Sequence, residues 1–186
     1  MRRVNLLGSD TEEDLARRAQ GGDREAERTL ILRLYPGVYT LADRLLRNAE
    51  SARDATQEAF LRAFSRLDQY DGTHRFGAWI FKILVNLIRD EYRRGTRVMT
   101  ADLGPDDWPS HEPVPVDAAI REENFKLVRT HLDRLPEDMR MALLLHFQEG
   151  LGGRDIAYAL GITYDAARLK ISRAVAKLRE WLREER

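Results

Sequence analysis

Arg154-Asp-Ile-Ala-Tyr-Ala-Leu-Gly161-Ile-Thr163-Tyr-Asp-Ala-Ala-Arg-Leu-Lys-Ile-Ser-Arg-Ala-Val-Ala-Lys-Leu-Arg-Glu-Trp181 reads as a short helix, a tight turn and a longer helix. Gly161 suits the turn and Thr163 can cap the second helix. Ala157 is small enough for two helices to cross closely, and Ile162 can fill the angle between them. At about 100° per residue, Ala167, Ile171, Ala174, Val175 and Leu178 line an inner face. Lys170, Arg173 and Lys177 line another.

Upstream of this pair the helical habit continues. Residues 118–134 predict one helix, and Pro136 suits the first turn of another that Gly150 terminates. Before them, residues 97–117 hold four of the six prolines, which cannot donate within a helix or sheet. Residues 97–119 carry one basic and five acidic residues, and this stretch reads as an extended acidic linker. So long a structureless segment is unusual inside a compact domain. The chain is therefore expected to be all-α, with two small helical domains (1–96 and 120–186) joined by the Pro-rich linker (97–119).

In the first domain β-branched residues are dispersed among Ala, Leu, Arg and Glu, which favour helix. Ser9-Asp-Thr-Glu12 has capping-box spacing and opens a helix ending at Gly21-Gly22. Asp23 can cap the next, running through Ala26, Leu30 and Leu34 until Pro36 breaks or kinks it; the pattern resumes to about Arg47. Ser51 opens a helix with Ala55, Ala59 and Phe60 on one face, ending near Leu67. A polar loop, 68–74, leads into a long helix that stops at Gly95.

That long helix is amphipathic. Ile80, Ile83, Leu84 and Leu87 share one arc, while Lys82, Asn86, Arg89 and Arg93 share the opposite side, flanked by Trp79. The loop adds Tyr70, His74 and Arg75, with Phe76 just inside the helix. Aromatics bordering a basic stripe suit single-stranded nucleic acid, since rings stack on unpaired bases at about 1 to 3 kcal/mol each while arginines track phosphates. An amide such as Asn86 can bond a base edge. The pattern has a plainer reading too: a solvated helix face, with Trp79 and Phe76 in the core.

The C-terminal pair has the layout of a helix-turn-helix, whose second helix enters the major groove. Residues 164–183 hold six basic and two acidic residues (Arg168, Lys170, Arg173, Lys177, Arg179 and Arg183 against Asp165 and Glu180). Such a local excess matters for phosphate contact although the 31 basic and 31 acidic residues of the chain cancel. An ordinary helical hairpin with a basic flank is the alternative.

Composition excludes several functions. The chain of 186 residues is 43% hydrophobic and 33% charged, enough apolar content for a core, and its apolar runs fall far short of a membrane span. The N-terminal stretch lacks the apolar segment of a signal peptide. No cysteine is present, which excludes disulfides and thiolate zinc sites and fits a reducing cytoplasm. The four histidines show no ligand spacing, and no Gly-rich phosphate loop occurs. No catalytic residue, metal or cofactor is expected.

Together these motifs resemble the extracytoplasmic-function (ECF) sigma factors, the smallest class of sigma-70-type bacterial initiation factors. Asp54-Ala-Thr-Gln57-Glu58-Ala-Phe60-Leu61-Arg62-Ala63-Phe64 is similar to the family's polymerase-binding helix. Tyr70 through Ile83, followed by Asn86, looks like its promoter-melting segment. Leu135-Pro136-Glu137 and Gly161-Ile162-Thr163 occupy the expected places in the fourth sigma region. The resemblance implies that Asp54, Gln57, Glu58 and Leu61 bind the clamp coiled coil of the largest subunit of core RNA polymerase. It implies that the loop from Tyr70 to Arg75, with Lys82 and Asn86, captures a flipped base of the minus-ten element. It further implies that Arg168, Lys170, Arg173 and Lys177 read the minus-thirty-five element, that the linker threads polymerase channels, and that an anti-sigma protein covers the binding faces.

The chain departs from the family pattern in places. Arg53 stands where an acidic residue often precedes the aspartate, and Leu169 and Val175 stand where Ser and Arg are common. Leu169 either packs or reads a thymine methyl. The rival reading is a stand-alone helix-turn-helix regulator whose first domain senses a ligand or dimerises. It predicts tight duplex binding without polymerase.

Overall fold

The computed structural model describes residues 10–95, 131–132, 134–147 and 149–184. All regular structure among them is helical: α1 (Glu12–Gln20), α2 (Arg24–Leu46), α3 (Ala49–Ser65), a 3-10 turn (Leu67–Gln69), α4 (Phe76–Gly95), α5 (Glu137–Phe147), α6 (Gly153–Leu160) and α7 (Tyr164–Glu184). Two compact units, residues 1–88 and 89–186, divide inside α4. The linker at 97–119 and most of the helix expected over 118–134 lie outside the described residues; His131 and Leu132 are helical.

Side-chain caps set the helix starts in the first unit. The box that opens α1 sits two residues later than the Ser9 spacing predicts: Thr11 Oγ1 accepts from the Asp14 amide at 3.1 Å, and Asp14 Oδ2 accepts from the Thr11 amide at 3.3 Å. Asp23 Oδ1 accepts from the amides of Glu25 and Ala26, opening α2. Asn48 does the same for Glu50 and Ser51, so α3 begins at Ala49 rather than Ser51. Arg47, at φ 54°, takes the left-handed conformation that ends α2.

Of the break or kink expected at Pro36, the break does not occur; α2 continues through it from Arg24 to Leu46. Leu30, Leu34, Val38, Leu41 and Leu45 stay buried along one face across the proline, which is itself exposed. Burial of each such side chain contributes about 1.5 to 3 kcal/mol, so the face together outweighs the roughly 3 kcal/mol that an interior proline costs. Thr40 Oγ1 donates to the Pro36 carbonyl at 2.6 Å. Both α1 and α3 pack on α2, and the alanine face of α3 (Ala52, Ala55, Ala59 and Ala63) is buried.

The buried arc of α4 differs from the predicted one. Phe76, Ile80, Phe81, Leu84, Val85 and Ile88 are buried, whereas Ile83 and Leu87 are only half-buried. Phe76 and Phe81 rotate the core-facing side toward themselves, because large rings gain most from burial.

In the second unit α5, α6 and α7 pack against one another pairwise. Met141 to Leu145 are all buried in succession, so α5 is wrapped on most sides. Gly161, at φ 67°, makes the left-handed turn after α6, where the Ile162 amide donates to the Ala157 carbonyl at 3.0 Å. Thr163 Oγ1 accepts from the Ala166 amide, as its spacing predicts. The five inner residues of α7, from Ala167 to Leu178, are buried. Near the other end of α7 the Arg134 guanidinium lies 4.5 Å from the Trp181 ring centroid.

Candidate protein and nucleic-acid interfaces

Helix α3 presents a polar strip at i, i+3, i+4, i+7 opposite its alanine face. Asp54, Gln57 and Leu61 are exposed, and Glu58 is half-buried with its carboxylate 2.6 Å from Arg62 Nε. Arg53 is exposed beside Asp54. Leu61 is 60% exposed, an unusual place for an isolated leucine on a polar strip. On α2, Leu32 is 66% and Tyr35 40% exposed, and the Tyr35 ring stacks on Phe60 with centroids 6.1 Å apart. Leu32 and Tyr35 escaped the sequence reading; their signal is that both fall off the Leu30–Leu34–Val38 stripe.

The loop before α4 is built around aromatic rings. Tyr70 is centred 5.1 Å from Phe76 and 5.5 Å from Trp79, and Phe76 and Trp79 are 5.5 Å apart. All three are buried. The expectation that these rings offer an open stacking surface is corrected: they face one another, because mutual burial satisfies their large apolar area. The Tyr70 hydroxyl donates to the His74 carbonyl at 2.7 Å.

What faces outward is the loop itself. Asp71, Gly72, Thr73 and Arg75 are exposed and His74 is half-buried. Gly72 is at φ 74°, and the Thr73 amide donates to Asp71 Oδ1 at 2.9 Å. Hydrogen bonds from Thr73 hold the Asp71 carboxyl below its usual range. Along α4, Asn86 and Arg93 are exposed, whereas Lys82 and Arg89 are half-buried and Arg89 Nη1 donates to the Leu160 carbonyl at 2.9 Å, so only part of the predicted stripe faces solvent freely. Arg93 is 3.0 Å from Asp90.

On α7 the outward side is displaced from the basic stripe. Asp165, Leu169, Ser172 and Ala176, at i, i+4, i+7, i+11, are exposed opposite the core. Arg168 and Lys177 are exposed on its flanks, while Arg173 is half-buried and Lys170 forms an ion pair with Asp138 of α5. Lys170 is thus corrected from a free groove-facing cation to one tied to a neighbouring helix. Leu169 is 48% exposed and lies outside the core; Val175 is core. Ser172 and Asp165 could have been found from the buried set alone, by projecting its opposite direction.

Among the described residues no group of three or more His, Asp or Glu is placed to hold a metal ion. No described helix is long and apolar enough to cross a membrane.

Two all-helical units, the second closed by a helix-turn-helix, define a bipartite DNA-binding architecture. Residues 30–98 match Sigma-70 region 2 and residues 125–178 match Sigma-70, region 4. The RNA polymerase sigma-H factor of Pseudomonas aeruginosa is 30% identical over 178 residues, covering 91% of this chain and 92% of that protein. The ECF RNA polymerase sigma-E factor of Escherichia coli K12 is 29% identical over 173 residues, covering 88% of this chain and 90% of that one. The solved structure of CnrH in complex with the cytosolic domain of CnrY is similar with a TM-score of 0.69 at 26% identity, covering 95% of this chain and 100% of that chain. The chain belongs to the sigma-70 family and is an RNA polymerase sigma factor of the ECF type.

Proposed function

We infer that this sigma factor divides promoter recognition among three exposed faces. Asp54, Gln57, Glu58 and Leu61 on α3, joined by Leu32 and Tyr35, dock on the clamp coiled coil of the largest polymerase subunit. Residues 71–75, with Lys82, Asn86, Arg89 and Arg93, take the non-template strand of the minus-ten element. Tyr70, Phe76 and Trp79 form the scaffold behind that loop. Helix α7 reads the minus-thirty-five duplex through Arg168, Leu169 and Ser172, with Arg173 and Lys177 toward the phosphates. The regions divide as 1–96, 97–119 and 120–186.

The observation that carries this reading is the outward placement of Asp54, Gln57 and Leu61 on α3, with Leu32 and Tyr35 also exposed on α2, the helix it packs on. A stand-alone regulator could use such a surface only to dimerise, whereas docking on polymerase also gives the carboxylates and amide of the α3 strip a partner. Melting requires no catalytic residue: a site that holds an extruded base offsets an unstacking cost of a few kcal/mol. The protein therefore acts by binding energy, without enzymatic activity or cofactor, in the cytoplasm where polymerase resides. CnrH, with which it shares its fold, is seen with the cytosolic domain of a second protein, and an anti-sigma protein covering the α3 face is the corresponding partner here.

Run-off transcription with purified core polymerase on genomic fragments, followed by start-site mapping, tests the reading. Discrete starts that require the added chain are expected. Tight duplex binding without polymerase, and no specific start with it, would identify a stand-alone regulator instead.

A further inference from the structure

Helix α1 lies before the stretch that matches Sigma-70 region 2, and it holds both ends of the loop that leads into α4. At its C-terminal end, Gln20 Nε2 donates to the carbonyls of both Leu67 and Tyr70 at 2.8 Å. At its N-terminal end, Glu12 Oε2 accepts from the Gly77 amide at 3.0 Å, and Glu12 Oε1 lies 3.5 Å from the Arg75 guanidinium. The Gly77 amide is one of the first-turn donors of α4 that no carbonyl of its own helix can reach, and a carboxylate there also meets the positive end of the helix dipole. A β-carbon at Gly77 would come within 3.2 Å of Glu12 Oε2, so the absence of a side chain allows this approach. Between the two anchor points the Tyr70 hydroxyl donates to the His74 carbonyl, the Thr73 amide closes an Asx turn on Asp71, and the Tyr70 ring packs on Phe76 and Trp79.

We propose that α1 is a positioning strap, in which Gln20 and Glu12 fix the two ends of the 67–77 segment so that residues 71–75 are ordered before single-stranded DNA arrives. The proposal rests on the reading that this loop takes the minus-ten strand. A loop already held in its binding conformation loses less freedom when it captures a base, so its anchors raise affinity without touching the ligand. Gln20 and Glu12 are positioning residues in this sense; neither is offered as a DNA contact.

The test uses the full chain assembled with core polymerase and a labelled non-template oligonucleotide spanning the minus-ten element of a promoter mapped by run-off transcription. Gln20→Met and Glu12→Met keep side-chain length but remove the donor and the acceptor. Each is expected to weaken oligonucleotide binding by about fivefold to tenfold, since only part of the worth of the two polar contacts it removes is passed on to the loop's order, with affinity for core polymerase unchanged. Glu12→Gln keeps an acceptor for the Gly77 amide and is expected to retain most of the binding. Hydrogen exchange in the free chain should quicken at Gly77 and across 71–75 in the Met variants, while amides in the middle of α2 are unaffected.

If Asn86→Ala weakens oligonucleotide binding but Gln20→Met and Glu12→Met do not, the strap is refuted and the minus-ten reading stands. Equal losses of oligonucleotide and polymerase affinity in the Met variants would make α1 a general folding element and also refute it. If the assembled wild-type protein ignores the oligonucleotide, the minus-ten reading fails and the strap with it.

Discussion

Lys170 of α7 is paired with Asp138 of α5, which fastens the longer helix of the helix-turn-helix to the helix before it. The two side chains are 26% and 45% exposed, so the pair contributes at most about 1 kcal/mol. Arg168 and Lys177 have no such anchor in α5 and stand free toward solvent on the flanks of the outward face. Replacing either Arg168 or Lys177 by Ala is expected to lower the salt slope of minus-thirty-five binding by about one. Lys170→Ala should change that slope less and lower the urea midpoint instead. A slope loss at Lys170 equal to that at Arg168 would contradict this division.

Gly153 and Tyr164 form a second contact within the helix-turn-helix. A β-carbon at Gly153 would sit 2.7 Å from the Tyr164 ring. Gly153→Ala must push the ring away, and because Tyr164 is half-exposed and can swing toward solvent the net loss is expected to stay at about 1 kcal/mol in urea denaturation. Combining it with Tyr164→Ala should recover most of that loss, a coupling that a double-mutant cycle reads directly.

The face of α3 yields a prediction about polymerase. Leu32 and Leu61 are both mostly exposed, so Leu32→Ala with Leu61→Ala should leave helicity and thermal midpoint nearly unchanged. Binding to core polymerase, measured by fluorescence anisotropy, should weaken by about 2 kcal/mol or more if these are the apolar anchors of the interface. Asn86→Ala, on another face, should not affect it.

Two carboxyl groups give opposite pH dependences. Hydrogen bonds from Arg18 and from the Ala26 amide hold the Asp23 carboxyl below its ordinary value. Its stabilising contribution is therefore present above the unfolded carboxylate value of about 3.9 and is lost as pH falls through the lower folded value. Burial pushes Glu137 upward, against the pull of nearby Arg140. A raised carboxyl favours the fold at low pH and disfavours it as pH climbs through the folded value. Asp23→Asn should flatten the acid limb of the stability profile, and Glu137→Gln should stabilise the chain at neutral pH. The reverse signs in urea titrations across pH 3 to 7 would count against both assignments.

The sequence carries the parts of this fold that repeat along one helix. Ala167, Ile171, Ala174, Val175 and Leu178 recur at helical spacing, and all are buried. Lys170 was legible as basic but not as paired, because Asp138 lies 32 positions away and obeys no local period. The same limit hid what α1, itself legible, holds in place: Gln20 reaches carbonyls 47 and 50 residues downstream and Glu12 an amide 65 residues downstream. Tyr70, Phe76 and Trp79 were legible as a cluster in sequence, yet whether rings face solvent or each other depends on how loop and helix close together. Pro36 misled for a related reason. Local propensity argues for a break, while the apolar face that overrides it is completed by α1 and α3.

Open-complex formation bears most directly on the central claim that the outward side of the 71–75 loop and α4 traps an unpaired strand. Because Trp79 is buried, Trp79→Ala would carve a cavity and confound folding with function; Lys82→Ala combined with Asn86→Ala leaves the core intact. Permanganate reactivity of minus-ten thymines, measured with this double variant assembled on core polymerase, should fall to the background of closed complexes while polymerase binding is retained. Reactivity equal to that of the unaltered protein would contradict the account.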